Sequence, residues 1–156
     1  MKTPRLSMAG FTLLELMIVM IIVSIVTAVA LPSYRSYAMR TSRAAAISDL
    51  QELTLFLERA FTAQGRYDDP TNPGSLATGL PFATSPRGDT NPRYNVALQA
   101  LSATGYTLQA SPIGGQGADD CGVLRIDQAG VQCILAGSVC ATSTDADERA
   151  QVAACW

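Results

Sequence analysis

The chain has 156 residues, a formal charge of −2 at pH 7 and no histidine, so the commonest general base and metal ligand are both missing. Past Phe11 there is no lysine, and nine arginines stand against thirteen acidic residues, a balance that argues against a nucleic-acid footprint. Once an apolar stretch near the start is set aside, about 120 residues remain, room for one domain core and no second.

The first ten residues, MKTPRLSMAG, carry Lys2 and Arg5 ahead of the apolar run, as the n-region of a secretory signal does. From Phe11 to Leu31 every residue is apolar or a small hydroxyl carrier except Glu15. About 20 such residues make a helix ~30 Å long, enough to cross a bilayer core. A charged group deep in hydrocarbon costs roughly 2.5–3.5 kcal/mol or more, so an acid kept there has a partner and a purpose. Two processing routes compete. Ala28-Val29-Ala30 offers a signal-peptidase site that would release a protein starting at Leu31, but an h-region needs no acid. In the other route the basic leader is cut after Gly10 and the apolar helix stays attached.

Gly10-Phe11-Thr12-Leu13-Leu14-Glu15, behind a basic leader and ahead of a proline after about 20 apolar residues, resembles the class III leader of type IV pilins and pseudopilins, the N-methylated prepilins. That resemblance implies a prepilin peptidase that cleaves between Gly10 and Phe11 and methylates the new Phe11 amine. It also implies that Glu15 serves subunit assembly by meeting such an amine. The physics agrees independently, because a carboxylate in an apolar bundle is offset by a cation that another subunit brings. The expected organisation is a leader at 1–10, a transmembrane and assembly helix at 11–33, and a periplasmic or extracellular head at 34–156. Positive charges flank the span on both sides and give no orientation, whereas paired cysteines place the C-terminal part outside the cytoplasm.

Pro32 cannot donate a helical hydrogen bond, so a kink or loosening is expected just before it; in pilins a proline here accompanies a helix segment that melts as subunits pack. The helical pattern resumes from Ser33 to Gln64. Ala46, Leu50, Leu53, Leu57 and Phe61 share one face that should lie on a sheet, Leu55 and Phe56 fall off it, and Gly65 should stop the helix. The proline-rich stretch from Arg66 to Pro92 reads as a long ordered loop, neither helix nor strand. It contains Arg87-Gly88-Asp89, a chance match to an adhesive tripeptide.

Alternation from Tyr94 to Leu101 and from Tyr106 to Ala110 predicts two strands joined by a hairpin at Ser102 to Gly105. Two more are expected around Leu124 to Asp127 and Val131 to Leu135, giving a four-stranded antiparallel meander under the helix stripe, an α+β head. Gly114-Gly115-Gln116-Gly117 opens no helix and carries no Lys-Ser/Thr, so a phosphate loop is excluded. Thr144 with the acids after it reads as the start of a short capped helix. Cys121, Cys133, Cys140 and Cys155 show no CxxC spacing, so disulfides are expected rather than a metal site. Of the three pairings possible, the one expected is Cys121 with Cys155 and Cys133 with Cys140.

Cys121-Gly122 before a strand, Asp127-Gln128 at its end, Cys155-Trp156 and the segment Leu80 to Pro86 resemble the heads of PilE-type minor pilins. The function this implies is a structural minor subunit of a type IV pilus. It would be held in the inner membrane with its head in the periplasm and later built into an extracellular fibre. Its partners would be other pilin subunits and the prepilin peptidase and methylase. A DNA-uptake pilin, with Arg87, Arg93 and Arg125 as its cations, and a type II secretion pseudopilin are the alternatives. No enzyme, cofactor or metal site is expected; Asp119 and Asp120 read as a solvated turn able at most to hold a calcium ion.

Overall fold

The computed structural model describes residues 11–72, 74–76, 79–135 and 138–156; Gly10, Lys2 and Arg5 of the leader lie outside them. Helix α1 spans Leu13–Gln64. Strands β1 (Thr84–Ser85), β2 (Tyr94–Leu101), β3 (Tyr106–Pro112), β4 (Leu124–Asp127), β5 (Gln132–Ile134) and β6 (Val139–Cys140) follow, and helix α2 (Ala146–Cys155) closes the chain. The chain divides into two compact units, one ending at Ala38 and the other running from Met39 to Trp156.

The second unit is an α+β head. Its six strands form one antiparallel sheet in sequence order, β1 to β6, so the expected four-stranded meander lacked both edges. Each missed strand has two residues, too few for an alternation to register, and β1 sits inside the stretch expected to hold no strand at all. The core forms where Ala46, Leu50, Leu53 and Leu57 of α1 meet Tyr94, Val96, Tyr106, Leu108, Leu124, Ile126 and Ile134 from the sheet, all buried. The helical period of the stripe therefore acts as read. Each large side chain contributes roughly 1.5–3 kcal/mol by leaving water. Phe56 joins the edge of this core, while Leu55 stays 58% exposed.

Local chemistry sets the boundaries. Gly65 adopts φ 70° after the last turn, and its N–H donates to the Phe61 carbonyl at 2.7 Å, a left-handed cap that a Cβ would strain. In β2 a bulge between Leu98 and Ala100 shifts the pairing by one. Leu101, opposite Tyr106, turns inward, and Ala100, which a strict alternation from Tyr94 would place on that face, is exposed. The glycine-rich loop winds into a short 3-10 helix, Gly114–Ala118, that buries Gln116. Helix α2 is capped by Asp145, not Thr144: the Asp145 side chain accepts from the Asp147 N–H at 2.8 Å.

Two disulfides close the C-terminal part. Cys121–Cys155 ties the end of α2 to the residue stretch before β4, with Cα atoms 5.8 Å apart. Cys133–Cys140 joins residues that face each other across β5 and β6. The longer loop should contribute roughly 3–4 kcal/mol on the loop-entropy account.

Candidate functional site

The candidate site is built on the first turns of α1. Thr12 precedes the helix, its hydroxyl accepts from the Glu15 N–H at 3.2 Å, and its carbonyl accepts from the Leu16 N–H at 3.2 Å. Thr12 is thus the N-cap and Glu15 the third helical residue, the arrangement of a Ser/Thr-x-x-Glu capping box. That motif stands in the sequence, inside the Gly10 to Glu15 segment that reads as a leader junction and not as a helix cap. An acid in the first turn also suits the helix dipole, worth about 0.3–1 kcal/mol. Glu15 therefore has a local role in starting the helix, and its carboxylate pairs with no cation among the described residues.

Beyond Glu15 the surface is apolar all round. Every large side chain from Leu16 to Leu31 is exposed, and α1 is long and apolar enough to cross a membrane. The hydroxyls of Ser24 and Thr27 donate to the carbonyls of Met20 and Val23, each at 2.7 Å, so neither needs water. Such a surface must be covered by lipid or by other apolar helices. Pro32 lies inside α1 and leaves the Ala28 carbonyl without its usual donor.

The head holds a polar network that the sequence did not disclose. Asp119 is not a solvated turn residue: its side chain is 7% exposed and forms a 2.7 Å ion pair with Arg43 of α1, itself 13% exposed. The second Asp119 oxygen accepts from the Tyr94 hydroxyl and from Gln116 Nε2, both at 3.1 Å. Gln116 Nε2 also donates to the Met39 carbonyl at 3.0 Å. Burial, and after it the Asp119 charge, pushes the Tyr94 phenol well above its ordinary value. Asp120 is exposed, so the two carboxylates part and share no site. A second cluster joins Glu58 to the hydroxyls of Tyr67 at 2.9 Å and Tyr106 at 3.3 Å. Burial above all pushes Tyr106 up to about 12. Both clusters anchor α1 to the sheet.

Of the three arginines considered for DNA, Arg87 is engaged: its Nη1 lies 2.6 Å from Glu52 Oε1, and its guanidinium covers the Phe82 ring at 5.3 Å. Arg87-Gly88-Asp89 is thereby tied to α1. Arg125 points from β4 away from the core, where its Nε donates to Gln109 Oε1 at 2.6 Å. Arg93 precedes β2, held by backbone bonds to Ser85 and from Ile113.

Comparison with known proteins identifies two matching families. The prokaryotic N-terminal methylation motif matches residues 5–31. The family described as type IV minor pilin ComP, DNA uptake sequence receptor, matches residues 32–125. No curated protein matches the chain. Among solved structures, a type IV pilin from Shewanella oneidensis is 26% identical, with a TM-score of 0.43, over 60% of this chain and 89% of that one. The non-core minor pilin PilV of Neisseria meningitidis is 17% identical, with a TM-score of 0.47, over 71% of this chain and 94% of that one. With the methylation motif leading directly into a pilin match that runs from Pro32 through the first residues of β4, the chain belongs to the type IV minor pilin family.

Proposed function

We propose that this minor pilin is stored in the inner membrane as a prepilin, with its head in the periplasm, and is then polymerised into an extracellular pilus. The leader 1–10 is cut between Gly10 and Phe11, and the Phe11 amine is methylated. Segment 11–33 is the span and assembly helix, and 34–156 is the head. In the fibre Glu15 pairs with the Phe11 amine of another subunit, and the helix loosens just before Pro32 as subunits pack. The chain catalyses no reaction; its partners are other pilin subunits and the peptidase and methylase that process it. The observation that carries this reading is the methylation motif over residues 5–31, set against a helix whose apolar surface is left uncovered by the described residues. N-terminal sequencing of the membrane form tests it. A start at methylated Phe11 is expected, and a start at Leu31 would refute it.

A second reading, DNA uptake, is favoured by the match of residues 32–125 to a family of DNA uptake sequence receptors. Arg93 and Arg125 are cations for it without a carboxylate partner among the described residues, whereas Arg87 would have to leave its exposed pair with Glu52. Binding carried by so few phosphate contacts should be weak and salt-sensitive. A gel shift with the fragment from residue 34 onward, at low salt, should show a complex that Arg93→Ala/Arg125→Ala loses. No complex at low salt removes this reading. The match to a pilus family leaves the secretion pseudopilin without a supporting observation.

A further inference from the structure

The residues just beyond the apolar stretch of α1 form a collar of exposed aromatic and cationic side chains. Tyr34 is 70% exposed and Tyr37 69% exposed, three residues apart on α1, with exposed Arg35 between them. Ser36 Oγ donates to the Ser33 carbonyl at 2.9 Å, so Ser36 adds no charge and little unmet polarity. The collar begins where the all-round apolar surface ends, at Leu31 and Pro32. Tyrosine has an apolar ring and a polar tip, which suits the boundary between acyl chains and headgroups. A guanidinium binds phosphate in a fork of two hydrogen bonds.

We propose that Tyr34, Arg35 and Tyr37 are an interfacial anchor for lipid phosphate headgroups, and that this anchor sets how deep α1 sits in the bilayer. The inference rests on the reading that the chain is stored as a membrane-spanning prepilin. Its consequence is a ruler. At ~1.5 Å rise per residue, Glu15 lies roughly 28 Å along the axis from Tyr34, close to the ~30 Å of the hydrocarbon core. With Tyr34 held at one boundary, Glu15 sits at the other, where its carboxylate reaches headgroups and water rather than the middle of the acyl chains. Phe11 then lies about one turn beyond Glu15, at the membrane surface, within reach of a peptidase acting there. The stored helix avoids most of the cost of an intramembrane acid, and that cost arises only when subunits bundle.

The test uses the full chain in vesicles of phosphatidylethanolamine and phosphatidylglycerol. Trp156→Phe with Tyr34→Trp leaves one indole, at position 34, as a depth reporter. Lipids brominated near the headgroup should quench it several-fold more strongly than lipids brominated near the chain ends. Equal or deeper quenching, or an indole shielded from both lipids as if another subunit's helix covered it, overturns the anchor. In a second arm, Tyr34→Ser/Arg35→Ser/Tyr37→Ser should slow leader removal by prepilin peptidase several-fold, while Tyr34→Trp/Tyr37→Trp with Arg35 kept should restore it. A serine variant that is inserted and cut at the unmodified rate overturns the ruler. Should the unmodified chain itself keep its leader, the processing reading fails, and the quenching arm still decides the anchor.

Discussion

Pili assembled by cells that express a Glu15→Ala chain should contain none of it, while the membrane fraction holds it at normal levels. Two roles for Glu15 predict different depths of loss. As the third residue after the Thr12 cap it favours the helix start by about 0.3–1 kcal/mol, which a long helix tolerates. As the counter-charge to an amine inside an apolar bundle it is worth far more, because an unpaired buried charge costs roughly 3–5 kcal/mol. Glu15→Gln separates the two. Glutamine at this position completes the capping box as glutamate does, yet it offers the amine no charge, so this variant too should be missing from sheared pili on immunoblots. Glu15→Gln present in pili at the unmodified level would show that capping is the whole of its role.

The second large effect lies in the head. Asp119→Ala should destabilise it by about 3 kcal/mol, because it leaves the part-buried Arg43 guanidinium without a counter-charge, and Tyr94 and Gln116 lose an acceptor. Asp119→Asn keeps an acceptor oxygen and should cost less. Removing both charges, as Arg43→Met/Asp119→Leu, should recover most of the loss, since apolar replacements of a buried pair are often neutral. Urea unfolding of the fragment from residue 34 onward measures all three. A loss for Asp119→Ala no greater than about 1 kcal/mol, the size expected for a surface pair, would mean that water screens this ion pair. The Cys121–Cys155 bridge begins two residues after Asp119, so loosening there should also let α2 move away from β5 and β6.

Several of these features were legible from neighbours along the chain, because the forces behind them are local. The stripe Ala46, Leu50, Leu53 and Leu57 repeats at the helical period, and that repeat is the buried face of α1. The hairpin at Ser102 to Gly105 stands where it was expected, closed by the Ser102 N–H donating to the Gly105 carbonyl at 2.8 Å. Other features were hidden because their partners are remote. Nothing next to Asp119 announces Arg43, so an acid beside another acid in a glycine-rich loop reads as exposed. Strands β1 and β6 exist because β2 and β5 offer them edges, not because two residues carry a pattern. The bulge in β2 appears only once Tyr106 claims Leu101 as its opposite.

By itself the sequence determined the membrane-length apolar stretch, the lone acid one turn into it, the leader that resembles a prepilin's and the α+β class, since length, charge and period act on neighbouring residues. Only the tertiary structure decided that the sheet has six strands, that the expected one of three cysteine pairings forms, that Asp119 meets Arg43 of α1 and that Arg87 meets Glu52. Each of these depends on which residues the fold brings together, and for Arg43 and Asp119 on the partial loss of water that makes a pairing across the chain worth its entropy.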